Sequence, residues 1–162
     1  MKVGIVSDTH DNLDVIESAV SLFESEVDAV VHCGDFVAPF SVTPFDADFD
    51  FYAVRGNNDG EWALRETIQS VGADLGEMGE LTLAGTSFAV YHGTSQPIVD
   101  ALVTCGTYDY VLHGHTHQRA HEEVDGTVRI NPGGIPTSPR VTDPPAGVIL
   151  DLDSGEVTFH DL

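Results

Sequence analysis

The chain has little positive charge. Lys and Arg total 6 against 27 Asp and Glu, and Lys2 is the one lysine. The formal net charge of -21 disfavours duplex nucleic acid as a partner, because such binding rests on Lys and Arg contacts to phosphates. Self-repulsion of this size destabilises a compact chain at low ionic strength. At about 1 M salt the Debye length falls to ~3 Å and the repulsion is screened, so the composition is halophilic, with surface carboxylates maintaining solubility. An acidic disordered chain is excluded, since 41% of the residues are hydrophobic and the strand patterns are clear. Cysteine is scarce as well. Cys33 and Cys105 make no disulfide framework and are expected as free thiols in a reducing compartment. No apolar run approaches the ~18 residues of a membrane span, and the first run, interrupted at Asp8, is too short for a signal peptide. These absences point to a cytoplasmic protein. Its 162 residues are expected to form one domain, 1–162, that buries a core without disulfides or a structural metal.

The first half alternates strand and helix. Val3 to Ser7 reads as a strand, followed by the polar turn Asp8-Thr9-His10-Asp11-Asn12. Leu13, Ile16, Val20 and Phe23 then mark an amphipathic helix, with Asp11 or Asn12 as N-cap. Asp28 to His32 is a second strand ended by Cys33-Gly34-Asp35-Phe36, and Val37 to Asp48 reads as an irregular loop. Phe51 to Arg55 is a third strand ended by Gly56-Asn57-Asn58-Asp59-Gly60, and Trp62 to Val71 reads as a helix. After Gly72 the hydrophobic period falls to 2. Glu80 to Ala84 and Ser87 to Tyr91 form a hairpin about Gly85-Thr86, ending at His92-Gly93. A short helix from Pro97 to Thr104 precedes the strand Tyr108 to Leu112. Gln118 to Val124 and Thr127 to Ile130 pair across Asp125-Gly126. A Pro-rich loop, Ile135 to Pro145, leads to a last hairpin of Gly147 to Asp151 and Glu156 to His160. The pattern predicts an α/β fold of two packed mixed β-sheets flanked by helices.

The polar clusters share one position, just past the C-terminal ends of predicted strands, where open α/β sheets bind ligands. They are Asp8/His10, Asp35, Asn57, His92 and His115/His117. Imidazole mixed with hard oxygen suits manganese, iron, nickel or zinc. Seven such groups are too many for one ordinary ion and fit two ions sharing a carboxylate. Ions about 3.5–4 Å apart can activate a water and clamp both oxygens of an in-line phosphoryl displacement. In Val111-Leu112-His113-Gly114-His115-Thr116-His117, alternate histidines of an extended segment share a face, so all three are candidate ligands on spacing alone.

Asp-x-His, Gly-Asp, Gly-Asn-x-Asp, a lone His-Gly after a strand, and Gly-His-x-His occur here in that order. This set resembles that of the calcineurin-like metallophosphoesterases. The Gly-Asp-Phe form and the Ile130-Asn131-Pro132-Gly133 ending look most like the compact phosphodiesterase branch. The resemblance runs from Val3 to the last hairpin and implies the family's four-layer sandwich. It also implies that Asp8, His10 and His117 hold one metal, that Asn57, His92 and His115 hold the other, and that Asp35 bridges them. Hydroxide between the ions would be the nucleophile. Two dications, two aspartates and one hydroxide leave about +1, suited to one diester monoanion inside an acidic protein. Manganese is the expected metal, with nickel, iron, zinc or magnesium as alternatives.

Many relatives carry histidine after the metal-binding asparagine, where this chain has Asn58. An amide can bind a phosphate oxygen but is no general acid near neutral pH, so activated diesters are expected to turn over faster than esters with poor leaving groups. His113 is expected beside the ligands, against phosphate or behind them. Asp59 is expected to orient the Asn57 loop, and Arg55 to pair with Asp59 or a phosphate or to serve the strand end. His32, His121 and His160 read as ordinary strand or surface histidines. The expected partner is a small phosphate-ester substrate, and the exposed hairpin edges permit a homo-oligomer. The competing readings are a phosphomonoesterase, a nuclease on short single strands, and a protein-interaction scaffold of the kind one eukaryotic relative provides in the retromer coat. The full set of seven ligands weighs against the scaffold.

Overall fold

A computed structural model describes residues 1–162. Strands β1 (Lys2–Val6), β2 (Ala29–His32) and β3 (Asp50–Ala53) alternate with helices α1 (Leu13–Phe23) and α2 (Trp62–Val71), and α2 leads to the two-residue β4 (Ala73–Asp74). Then come β5 (Met78–Leu83), β6 (Thr86–Tyr91), α3 (Gln96–Thr104), β7 (Tyr110–Leu112), β8 (Ala120–Val124), β9 (Thr127–Asn131), β10 (Ala146–Asp151) and β11 (Val157–Asp161). They form a six-stranded sheet, β11-β10-β1-β2-β3-β4, and a five-stranded sheet, β5-β6-β7-β9-β8. Both are mixed. β1 to β4 run parallel and β10 antiparallel to β1, while β6, β7 and β9 run parallel between two antiparallel edges.

Alternation along the strands divides the core. Val3, Ile5, Ala29 and Val31 point between the sheets and meet Phe88, Val90, Leu112 and Ile130. Val6 and Val30 face the other way, onto Ile16, Ala19 and Phe23 of α1 and Leu64 and Ile68 of α2. On the far face of the second sheet, Ala89 and Val111 receive Val99 and Val103 of α3. The four layers are therefore helix, sheet, sheet and helix, as the sequence predicts. Gly4 and Gly147 let α1 approach closely, since a Cβ at either would lie 2.8 Å from Phe23 or Leu22.

Local signals behave as expected with two shifts. The α1 N-cap is Asn12, whose side chain accepts from the Val15 N–H. Asp11 instead accepts from Ala38 N and Ser41 Oγ, securing the 37–48 segment, which carries single 3-10 turns at Pro39–Ser41 and Thr43–Phe45. The first hairpin turns at Ala84-Gly85 rather than Gly85-Thr86. Ala84 and Gly85 have φ 49° and 86°, the double positive φ that a two-residue hairpin of this hand requires. The short β4 pairs with β3 and was not expected. No helix is long and apolar enough to cross a membrane.

Candidate metal centre

β1, β2, β3, β6 and β7 all end at the same edge of the sandwich, and the loops after them converge there. Backbone bonds tie the first two loops together: Asp8 N to Gly34 O, His10 N to Asp35 O and Asp11 N to Phe36 O. Gly114 N to His92 O and Ile135 N to Asp8 O bring in the loops after β6, β7 and β9. Asp8, His10, Asp35, His115 and His117 sit in the left-handed region, with φ between 42° and 67°. Residues other than glycine seldom adopt it, and each such placement costs of order 1 kcal/mol. Sharp turns at the ligands are what let five loops point side chains at one place.

Asp8 is fully buried. Its Oδ2 accepts from Ser7 Oγ (2.5 Å) and His115 N (2.9 Å), while its Oδ1 has no hydrogen-bond partner. That free oxygen faces His117 Nε2 at 3.4 Å, His10 Nε2 at 3.9 Å and His92 Nε2 at 4.0 Å. Asp35 Oδ2 faces His92 Nε2 at 3.3 Å and His10 Nε2 at 3.6 Å, and Asn57 Oδ1 is 3.1 Å from His92 Nε2. Ligands ~2.1 Å from one ion stand roughly 3–3.4 Å apart, so this spacing suits atoms that share a cation. Two clusters of donors are tight enough to hold an ion: Asp8 with His10 and His117, and Asp8 with Asp35 and His92.

The imidazoles are oriented from behind. His92 Nδ1 donates to Cys33 O at 2.8 Å and His117 Nδ1 to Ile135 O at 2.6 Å, which leaves each Nε2 lone pair facing inward, the usual second contact of a metal-ligating histidine. Burial pushes the Asp8 carboxyl up, against the His92, Ser7 and His117 contacts that favour its anion. Burial also opposes the charged forms of His92 and Asp35. For His92, contact with Asp35 and the charges of Asp8 and Asp35 outweigh burial, and its pKa rises. For Asp35, His92 and the N–H donors of Asn58 win, holding the carboxyl well below the usual carboxylate range. Buried carboxylate charge, an orphaned oxygen and orphaned His10 Nε2 together fit a bound divalent cation, which would offset the desolvation.

The predicted residues do not all stand alike. Asp8, His10, Asp35, Asn57, His92 and His117 converge. His115 lies outside both tight clusters, half-buried, with its ring edge-on to His92 at 5.2 Å. Asn58 donates to Asp35 twice, from its backbone N at 2.8 Å and its Nδ2 at 2.7 Å. His113 is buried behind the ligands, where burial brings its pKa down to about 4, with Arg129 adding to the shift. Its Nδ1 donates to Gly114 O at 3.2 Å and its Nε2 is unpartnered. Arg55 is exposed and pairs with Glu77, not with Asp59. His121 is exposed and His160 partly so.

Asp59, expected to orient the Asn57 loop, is bonded to it, whereas His32, Gly56 and Gly114 carried no strong sequence signal. Asp59, 4% exposed, accepts from the backbone N–H groups of Asp35, Val37 and Gly56, each at 2.8 Å. It thus joins the loops after β2 and β3. His32, the last residue of β2, is fully buried. Its Nδ1 accepts from Gly34 N at 3.1 Å, so its Nε2 carries the proton toward Thr9 Oγ1 at 3.2 Å, and its ring stacks on Phe36. Gly56 and Gly114 leave the carboxylates room: a Cβ at either would collide with Asp35 or with Ser7 and Asp8. Asn131 supports the site from behind, donating to Gly114 O and Thr116 Oγ1.

Comparison with known proteins agrees with this architecture. The phosphodiesterase MJ0936 of Methanocaldococcus jannaschii is 39% identical over 149 residues, covering 85% of this chain and 90% of its own length. A solved archaeal phosphodiesterase superposes over the whole of both chains with a TM-score of 0.91 and 36% identity. Vps29 of Chaetomium thermophilum shares the fold, with a TM-score of 0.72 over 99% of this chain and 93% of its own, at 14% identity. The family model of the calcineurin-like phosphoesterase superfamily domain matches residues 1–155, and the chain belongs to that superfamily.

Proposed function

We propose that this protein is a divalent-metal phosphodiesterase with a two-ion site, in which Asp8, His10 and His117 hold one ion, Asn57, His92 and His115 the other, and Asp35 bridges. One observation carries the reading: the buried Asp8 Oδ1, without a hydrogen bond, faces three imidazole Nε2 atoms at 3.4–4.0 Å. The similarity to named phosphodiesterases supports the reaction class. Bound ions would supply an activated water and polarise the phosphoryl oxygens. Manganese suits this mixture of hard oxygen and imidazole, with nickel, iron, zinc or magnesium as alternatives.

The chain's own residues orient and charge the site. The backbone carbonyls of Cys33 and Ile135 fix the tautomers of His92 and His117, and Asp59 fixes Asp35 through its backbone N–H. Asn58 holds the Asp35 carboxylate and, being an amide, supplies no proton to a leaving oxygen. Leaving groups must therefore depart as stable anions, which favours activated diesters. His113, held neutral by burial, adds no charge behind the ligands.

The test is hydrolysis of bis(p-nitrophenyl) phosphate and p-nitrophenyl phosphate with added Mn, in dilute buffer and in molar KCl. The diester is expected to be cleaved faster, and most efficiently in high salt. Faster monoester cleavage would overturn the reading in favour of a phosphomonoesterase. Cleavage of neither, by folded protein carrying metal, would leave the fold a scaffold.

A further inference from the structure

Trp62 is the chain's one tryptophan. It opens α2 yet belongs to none of the hydrophobic cores, and it is 81% exposed. It lines a groove of about 540 Å³ whose floor includes the nearly buried Leu64 and Ile68. Arg55, Asp59, Gly60 and Glu77 line both this groove and an adjoining cavity of about 350 Å³ that reaches Asn57. The two spaces adjoin, one lined by the expected metal ligand Asn57 and the other by the indole. Their connection to the site is structural, since Asp59 accepts from the Asp35 N–H at 2.8 Å.

The charge lining the groove selects what fits. Two arginines stand against four carboxylates, Asp59, Glu61, Asp74 and Glu77. Arg65 pairs with Asp74 at 2.9 Å and Arg55 with Glu77, so each guanidinium already faces a carboxylate and the groove keeps its net negative charge. A polyanionic strand would meet net negative charge, whereas an uncharged planar group would meet the exposed indole of Trp62 without that repulsion. We infer that this groove is the subsite for one organic substituent of the diester, and that it takes a planar heteroaromatic group, such as a nucleobase, stacked on Trp62. The inference rests on the phosphodiesterase reading for its role in turnover, but not for the binding itself.

Because Trp62 is the only tryptophan, its fluorescence reports occupancy directly. Titrating the full chain with adenosine is expected to quench it saturably, and ribose is expected to leave it unchanged. By calorimetry, Trp62→Phe keeps adenosine binding, and Trp62→Ala weakens it about tenfold or more, as loss of a base-stacking partner does. The same Ala variant raises KM for the p-nitrophenyl ester of thymidine 5′-phosphate more than KM for methyl p-nitrophenyl phosphate. Absence of quenching, equal quenching by ribose, or undiminished binding to Trp62→Ala overturns the subsite. Ester hydrolysis without adenosine binding refutes the subsite alone. Adenosine binding without hydrolysis of any diester supports the subsite as a binding site and refutes the phosphodiesterase reading.

Discussion

Asp59 is the support whose removal gives the sharpest energetic expectation. Its Oδ2 accepts from Asp35 N and Gly56 N, and its Oδ1 from Val37 N, all at 2.8 Å. Hydrogen bonds to a charged group contribute about 1.5–3 kcal/mol each. Removing all three with Asp59→Ala would cost about 4–5 kcal/mol even at the low end, comparable to the whole stability of a marginal domain. Asp59→Asn is the better probe. Its amide oxygen can keep the Asp35 and Gly56 donors, but its NH2 then faces the Val37 N–H, so one bond and the charge are lost. The expected cost is about 2 kcal/mol, measured by urea unfolding in chelator so that metal binding does not contribute. Metal affinity should fall in parallel by about tenfold, because partners that position ligands typically contribute that much or more. An Asp59→Asn protein within about 0.5 kcal/mol of the parent, the scale of an unimportant surface change, and with unaltered metal affinity, would refute the assigned role.

Asn58→Ala removes the Nδ2 bond to Asp35 while the backbone bond stays; metal affinity should drop about tenfold, as read by competition with a chromogenic chelator. His32 is held well below its ordinary pKa of 6.5, chiefly by burial, so the unfolded chain takes up a proton there that the folded chain refuses. Stability from this group is full above pH 6.5 and is lost as pH falls toward the folded value; His32→Gln should flatten the decline between pH 7.5 and 5.5 in denaturant unfolding, and an unchanged slope contradicts the assignment. The net charge of -21 predicts a higher unfolding midpoint in 2 M than in 0.1 M KCl, since the Debye length shrinks from ~10 Å to ~2 Å; an equal or lower midpoint would remove the halophilic reading.

The positions at which the site is built could be read from the sequence because each expected ligand follows an apolar strand. Parallel neighbours β1, β2 and β3 must end at one edge, so Asp8, Asp35 and Asn57 had to be neighbours once the strands were recognised. The same reasoning brought His92 and His117 to the edge from β6 and β7. What held them there was less visible. Asp59 is legible as a support of its own Asn57 loop, but not its bonds to the Asp35 and Val37 N–H groups of the loop after β2. His32 reads as an ordinary strand residue because its partners, Thr9 and Gly34, belong to different loops. The positive φ at Asp8, His10, Asp35, His115 and His117 had no signal either, since these residue types do not announce left-handed backbone as glycine does. The hairpin shift to Ala84-Gly85 has the same cause.

Whether this chain holds two ions is read from its metal content. Protein loaded with Mn and freed of excess by dialysis should carry two equivalents per chain. Asn57→Ala and His115→Ala, each still folded, should carry one and lose most diesterase activity. One equivalent in the parent chain, or two in both variants, would contradict a two-ion site.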